Sequence, residues 1–343
     1  MKKDKIVVIM GGTSTEAAIS RQTGTAILSA LQSKGYPAVG MELPPETFAE
    51  EITAADPAIV FNALHGKFGE DGVLQGTLDM LGIPYTGSGV LAAAVTMDKA
   101  AAKRVFVAEG ISTPRSQTYH AYELDARDLA AEITRDFGLP VVVKAASQGS
   151  SSGVYIVEQA ADLEQALADA FRYNDEVLGE QFIKGRELTV AVWGDAEKKE
   201  AFPIIEITTE SGRYDYESKY TKGASHHIIP APVSEEKTRE IQALAVKTFT
   251  ACGCRGVARV DMMLGEDGTP NVIEVNSVPG MTELSLVPDA GRAMGIEFLE
   301  LCERILAMAG YRRYHLRRES GDARGSAALR QDGIDAARRS SKI

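Results

Sequence analysis

The chain has three cysteines, Cys252, Cys254 and Cys302, an odd number with no C-x-x-C pair among them. That excludes a disulfide framework and a cysteine-rich zinc site, and leaves reduced thiols. No apolar run approaches the roughly 20 residues needed to cross a bilayer. Lys2, Lys3 and Lys5 ahead of Ile6–Met10 imitate a secretory leader, but five apolar residues running into Gly11 and Gly12 read better as a first strand. Excess positive charge is also lacking: the net charge is −11, and residues 1–311 hold 28 Lys and Arg against 44 Asp and Glu. So acidic a body excludes a generic nucleic-acid surface and suits small substrates and bound cations. No internal repeat and no G-x-x-x-x-G-K-[ST] phosphate loop occur. These absences point to a cytoplasmic protein with no nucleic-acid or membrane partner.

What is present describes a globular protein, with 44% hydrophobic and 25% charged residues over 343 positions. That length asks for two or three domains. Residues 1–96 alternate strands and helices: a buried strand at Ile6–Met10, a helix capped by Thr13 or Ser14 and ending near Gly35, a second strand at 58–64, a helix at 74–81 and a short strand at 83–86. This predicts an open, mainly parallel α/β domain with its chemistry at the carboxyl ends of the strands. Residues 97–185 predict a smaller α+β domain, with a helix from Asp98 to about Glu109 and strands at 139–144, 153–157 and 176–182. Residues 186–311 predict a mixed sheet that finishes in a helix at 297–309. Residues 312–343, rich in Arg, Ser, Gly and Asp, read as a disordered tail.

The most informative segment is the pair Arg259-Val-Asp261 and Glu274-Val-Asn276, joined by Gly265-Glu-Asp-Gly268. Two strands around that turn form a hairpin, and Asp261 and Glu274 lie equally far from its centre. Arg259, Asp261, Glu274 and Asn276 therefore share a face, while Val257, Val260, Met262, Ile273 and Val275 are assigned to the core. Two carboxylates and an amide oxygen form a hard-oxygen set suited to Mg²⁺. A solvated polar face with a chance salt bridge would read the same from the hairpin alone.

Other motifs carry weaker signals. Lys144 opens a Gly/Ser-rich loop ending at Gly153, whose amides and ammonium suit a phosphate. Lys99 sits in the first turn of a helix, where a cation makes sense beside an anion. Glu180, Phe182 and Glu187 fall at a hinge that suits a purine and its ribose. Gly87-Ser-Gly89-Val-Leu-Ala92 matches a dinucleotide fingerprint, but late in its domain and after a very short strand. His226-His227 is read as a polar loop, because neighbours on an extended chain point apart.

Nine motifs then occur in order: Gly11–Glu16, His65-Gly66, Gly69–Gly72, Tyr85–Gly89, Met97–Lys99, Gln148–Ser151, Tyr214–Tyr220, Arg259–Asp261 and Glu274–Thr282. Together they resemble the D-alanine–D-alanine ligases, ATP-grasp enzymes of peptidoglycan precursor synthesis, over residues 4 to about 310. The resemblance implies an N-terminal α/β domain followed by a two-part ATP-grasp fold, and an acyl phosphate made from ATP and one D-alanine, attacked by a second. It implies ATP binding by Lys99, Lys144, Ser151, Glu180, Phe182, Ile183, Glu187 and Lys219. It assigns two Mg²⁺ (or Mn²⁺) to Asp261, Glu274 and Asn276. Glu16, with His65 nearby, receives the first substrate's ammonium, and Ser150 and Tyr220 close the site with Glu16. Arg259 and the Gly280 amide form an oxyanion hole, Ser285 takes the second substrate's carboxylate, and Leu286 lines its pocket. A homodimer is implied as well. Gln148 departs from the glutamate many members carry there. Tyr220 and Leu286 favour D-alanine over D-lactate or D-serine as second substrate, while a nicotinamide oxidoreductase resting on Gly87–Ala92 and a nonenzymatic nucleotide-binding module are the rival readings.

Overall fold

The computed structural model of the protein describes residues 5–122, 125–150, 152–195, 197–209, 225–282 and 285–319, with residues 310–319 described as backbone. The first sheet is parallel and ordered β2-β1-β3, from β1 (Ile6–Met10), β2 (Ala38–Glu42) and β3 (Ile59–Asn62). All five residues of β1 are buried, as a strand covered on both faces requires. Strand β2 has no counterpart in the sequence reading, because it is an edge strand in which only Ala38 is buried. The expected strand at 83–86 is reduced to one bridge, Val60 to Tyr85. Helix α1 (Ala17–Ser33) buries Ile27 and Leu31, and Glu16 rather than Thr13 or Ser14 occupies its N-cap. The Ser14 hydroxyl is engaged elsewhere: it accepts from the Glu16 amide at 3.2 Å and donates to the His65 carbonyl at 2.8 Å. Helices α2 (Phe48–Ala55), α3 (Val73–Met80) and α4 (Val90–Met97) complete this unit.

Gly89 is the N-cap of α4, so the apparent dinucleotide fingerprint is a helix start. Its neighbour Gly87 serves close packing, since a Cβ on Gly256 would stand 2.9 Å from the Gly87 Cα.

Helix α5 (Lys99–Ala108) is capped by Asp98, which accepts from the Ala101 amide at 2.7 Å. The second sheet is antiparallel, ordered β4-β7-β5-β6, from β4 (Ser116–His120), β5 (Val141–Ala145), β6 (Val154–Val157) and β7 (Glu176–Gln181). Helices α6 (Ala126–Phe137) and α7 (Ala160–Phe171) cover one face, packing Leu129, Ile133, Leu163 and Leu167 on Val141, Val143 and Val177. The opposite face presents Val142, Lys144 and Ile156 to a cavity.

The third sheet runs β11-β10-β8-β12-β13, with β9 (Lys199–Ala201) paired to β8. Its strands are β8 (Gly185–Gly194), β10 (Ile205–Thr209), β11 (Ser225–Ile228), β12 (Gly256–Gly265) and β13 (Pro270–Asn276). Helix α8 (Glu235–Ala251) packs Ile241, Ala245 and Phe249 on Val190, Val260 and Met262. The chain ends its described part with α9 (Leu286–Ala293) and α10 (Phe298–Glu319). Helix α10 thus runs eight residues into the segment read as a disordered tail; the rest of that segment lies outside the described residues. His226 and His227 lie on β11 rather than in a loop, and His227 Nδ1 bonds the Asp289 carboxylate of α9 at 2.5 Å. Among the described residues no helix is long and apolar enough to cross a membrane.

The β12–β13 hairpin keeps its expected register, with Asp261 opposite Glu274 and Arg259 opposite Asn276. Two assignments change. Pairing then jumps to Met262 opposite Val272, so Ile273 is the extra residue of a β-bulge and lines the cleft instead of the core. Val257 shares the parity of Arg259 and joins the core under α9 and α10, apart from Val260 and Met262.

Candidate active site

Two cavities meet at a shared wall. The larger, of about 570 Å³, lies between the second and third sheets and is lined by Lys144, Glu180, Phe182, Ile183, Glu187 and Asp261 among others. The smaller, of about 270 Å³, is lined by Glu16, His65, Glu70, Ser150, Arg259, Asn276, Gly280, Ser285 and Leu286 among others. Lys99 and Glu274 line both, and their charged groups lie 3.4 Å apart. Helices and loops of the first unit and residues of the second and third sheets together build the pair. Ser151, Lys219 and Tyr220 lie outside the described residues.

Of the residues the sequence reading gave to the nucleotide, Lys99, Lys144, Glu180, Phe182, Ile183 and Glu187 line the larger cleft, and several of their side chains are already paired. Lys144, buried on β5, pairs with Glu180 Oε1, and Lys103 Nζ stands 2.5 Å from Glu180 Oε2. Burial alone would push the Glu180 carboxyl up; the Lys144 and Lys103 ammoniums outweigh it and hold it below its ordinary value. Lys103 itself is pulled down to about 8, chiefly by burial. The sequence reading missed Lys103, although it lies four residues after Lys99 on α5 and so on the same side of the helix.

In the smaller cavity, Ser150 Oγ donates to Glu16 Oε1, and Ser150 holds φ at 49° to do so. A left-handed conformation is costly for a serine, and such strain persists where the surroundings over-determine it. Gly149 and Gly66 leave room for the Glu16 carboxylate, since a Cβ at either would come within 2.5 and 2.9 Å of Glu16 Oε2. His65 Nε2 lies 3.0 Å from Thr23 Oγ1, and burial pushes the imidazole towards its neutral form. Glu70, unassigned from sequence although it falls within the Gly69–Gly72 motif, accepts from the Gly66 amide at 2.6 Å. Burial first and the Glu16 charge second push it up to about 8. Ser285 is the N-cap of α9 and accepts from the Thr282 amide at 3.0 Å.

Asp261 is fixed from two sides. Arg259 donates to both its oxygens at 2.8 Å, and Thr189 Oγ1 donates to Oδ1 at 2.5 Å. Asn276 Oδ1 is buried without a hydrogen-bond partner. Such an orphaned acceptor beside two carboxylates is the arrangement a hard cation would complete. Among the described residues no group of three His, Cys, Asp or Glu that could hold a metal ion is found.

A parallel α/β unit followed by two antiparallel sheets that close on a deep, charged cleft defines the ATP-grasp class. Within that class, the family described as D-ala D-ala ligase C-terminus matches residues 106–307, and D-ala D-ala ligase N-terminus matches residues 40–88. The chain belongs to the D-alanine–D-alanine ligase family. A D-alanine–D-alanine ligase of Moorella thermoacetica is 46% identical over 307 residues, covering 89% of this chain and 99% of its own. The crystal structure of the Bacillus anthracis D-alanine–D-alanine ligase complexed with ATP superposes with a TM-score of 0.78 at 34% identity, covering 91% of this chain and 99% of that one. A D-Ala:D-Ser ligase from Enterococcus faecalis superposes at 0.76 with 29% identity, covering 90% and 99%.

Proposed function

We propose that the protein joins two D-alanine molecules into D-alanyl-D-alanine, consuming ATP and releasing ADP and phosphate, for peptidoglycan precursor synthesis. The observation that carries this reading is the shared wall of the two cavities, which Lys99 and Glu274 both line, so that a carboxylate held in the smaller one would meet a phosphoryl group held in the larger one.

In this mechanism the nucleotide occupies the larger cleft. Phe182 and Ile183 flank adenine, Glu180 accepts from its amino group, Glu187 holds the ribose, and Lys99, Lys144, Ser151 and Lys219 hold the phosphates. Asp261, Glu274 and Asn276 would hold Mg²⁺ or Mn²⁺, which neutralises charge on the phosphates as the terminal group moves. Glu16, positioned by Ser150 and closed over by Tyr220, binds the ammonium of the first D-alanine and presents its carboxylate to the terminal phosphate. That carboxylate forms a bond to phosphorus as the bond to ADP breaks. The second D-alanine, its carboxylate at Ser285 and its methyl near Leu286, brings its amine to the acyl carbon. Arg259 and the Gly280 amide then face the oxyanion of the tetrahedral intermediate, from which phosphate leaves. Closure over the bound substrates would keep water from the acyl phosphate.

Oxygen-labelled D-alanine tests this path. If an acyl phosphate forms, label from the substrate carboxylate appears in inorganic phosphate; unlabelled phosphate would contradict it. Family membership further supports a cytoplasmic homodimer, which sedimentation of the purified protein would check.

A further inference from the structure

Lys103 is a buried cation that lines neither cavity, yet it touches a residue of the nucleotide cleft. Its ammonium has three partners: Thr113 Oγ1 at 2.5 Å, the Pro114 carbonyl at 3.2 Å and Glu180 Oε2 at 2.5 Å. Thr113 is fixed in turn by donating to the Val272 carbonyl at 2.7 Å. Two hydrogen bonds and one ion pair thereby hold the ammonium behind the wall of the cleft. Glu180 is 2% exposed, and each of its oxygens faces one lysine. The two lysines are not equivalent. Lys144 lines the cleft and is the one a phosphate would draw away. Lys103 stands behind the wall and stays.

A buried carboxyl with no counter-charge takes up a proton and becomes a donor as well as an acceptor. With Lys103 in place the carboxylate keeps a counter-charge even where Lys144 turns to a phosphate, and it remains an acceptor only. An acceptor pairs with the exocyclic amine of a 6-amino purine and repels the oxygen of a 6-oxo purine. A site built around one such hydrogen bond discriminates strongly against the analogue that lacks it.

We propose that Lys103 is a positioning residue for base selectivity: from behind the cleft it keeps the Glu180 carboxylate fixed and acceptor-only, so that the cleft takes adenine and rejects guanine. This rests on the nucleotide reading of the larger cleft. The experiment is kcat/KM for ATP and for GTP in the D-alanine ligation assay, on the wild type and on Lys103→Met, Lys103→Gln and Lys103→Arg. The neutral variants are expected to narrow the ATP-to-GTP ratio by about tenfold or more, the worth of one charge-assisted hydrogen bond. KM for D-alanine should be unchanged, and Lys103→Arg should retain most of the wild-type ratio. Lys103→Gln keeps a polar group for Thr113 and provides a folded test should Lys103→Met not fold. A wild-type ratio in a folded neutral variant would overturn the inference. No ATP-dependent turnover by the wild type would overturn the cleft reading itself, and the inference with it.

Discussion

Gly149 and Glu70 show how single positions set the chemistry of the smaller cavity. A Cβ on Gly149 would fall 2.5 Å from Glu16 Oε2. The Glu16 carboxylate is the movable partner, so Gly149→Ala should spare the fold and displace the group proposed to receive the first substrate. We expect kcat/KM for D-alanine to fall about tenfold or more, the equivalent of one ionic hydrogen bond, with little change in Tm. Glu70 raises a question of pH. Its folded value of about 8 lies above the ordinary 4.5, so between those values the folded protein holds a proton that the unfolded chain has released. The associated stability is fully present below pH 4.5 and is lost as the pH rises through about 8. Glu70→Gln removes the titration while keeping an acceptor for the Gly66 amide. Thermal melts from pH 6 to 9 should fall more steeply for the wild type than for Glu70→Gln; parallel curves would contradict the assignment. Motif and spacing place Glu70 beside Gly69 and Lys103 on the same side of its helix as Lys99, but their burial against particular charges leaves no record in sequence.

Between elements, the support of β12 by β8 fixes Asp261, one of the proposed metal ligands. Thr189 on β8 lies opposite Asp261 and donates to it at 2.5 Å. Removing that hydroxyl leaves the carboxylate aimed only by Arg259. Thr189→Val, nearly equal in shape, should raise the Mg²⁺ concentration for half-maximal activity by about tenfold or more, since outer partners of metal ligands have effects of that size. A magnesium titration of the purified variant reads it directly. The hairpin itself was legible because its register follows from symmetry about Gly265–Gly268, and side chains alternate along a regular ladder. What was not legible was the break in that regularity. The bulge at Ile273 breaks the alternation on β13 and turns an apolar residue into the cleft. Strand β2 escaped for a related reason: an edge strand with one buried residue has no apolar pattern to find. His227 escaped because its partner, Asp289, is 62 residues distant in sequence.

At the scale of the molecule, the site belongs to no single part of the chain. Glu16 and His65 come from the first unit, Ser150 and Lys144 from the second, and Arg259, Asn276 and Ser285 from the third. Sequence order brought these motifs into view, but only folding sorts them into two cavities with Lys99 and Glu274 between. On the proposed reading, one chamber takes the amino acids and the other the nucleotide. The most direct measurement is therefore phosphate release with ATP, Mg²⁺ and D-alanine as sole amino acid, run beside mixtures containing D-serine or D-lactate. The account predicts steady phosphate release and D-alanyl-D-alanine in equal amounts from D-alanine alone. Turnover appearing only when D-serine or D-lactate is added would contradict it.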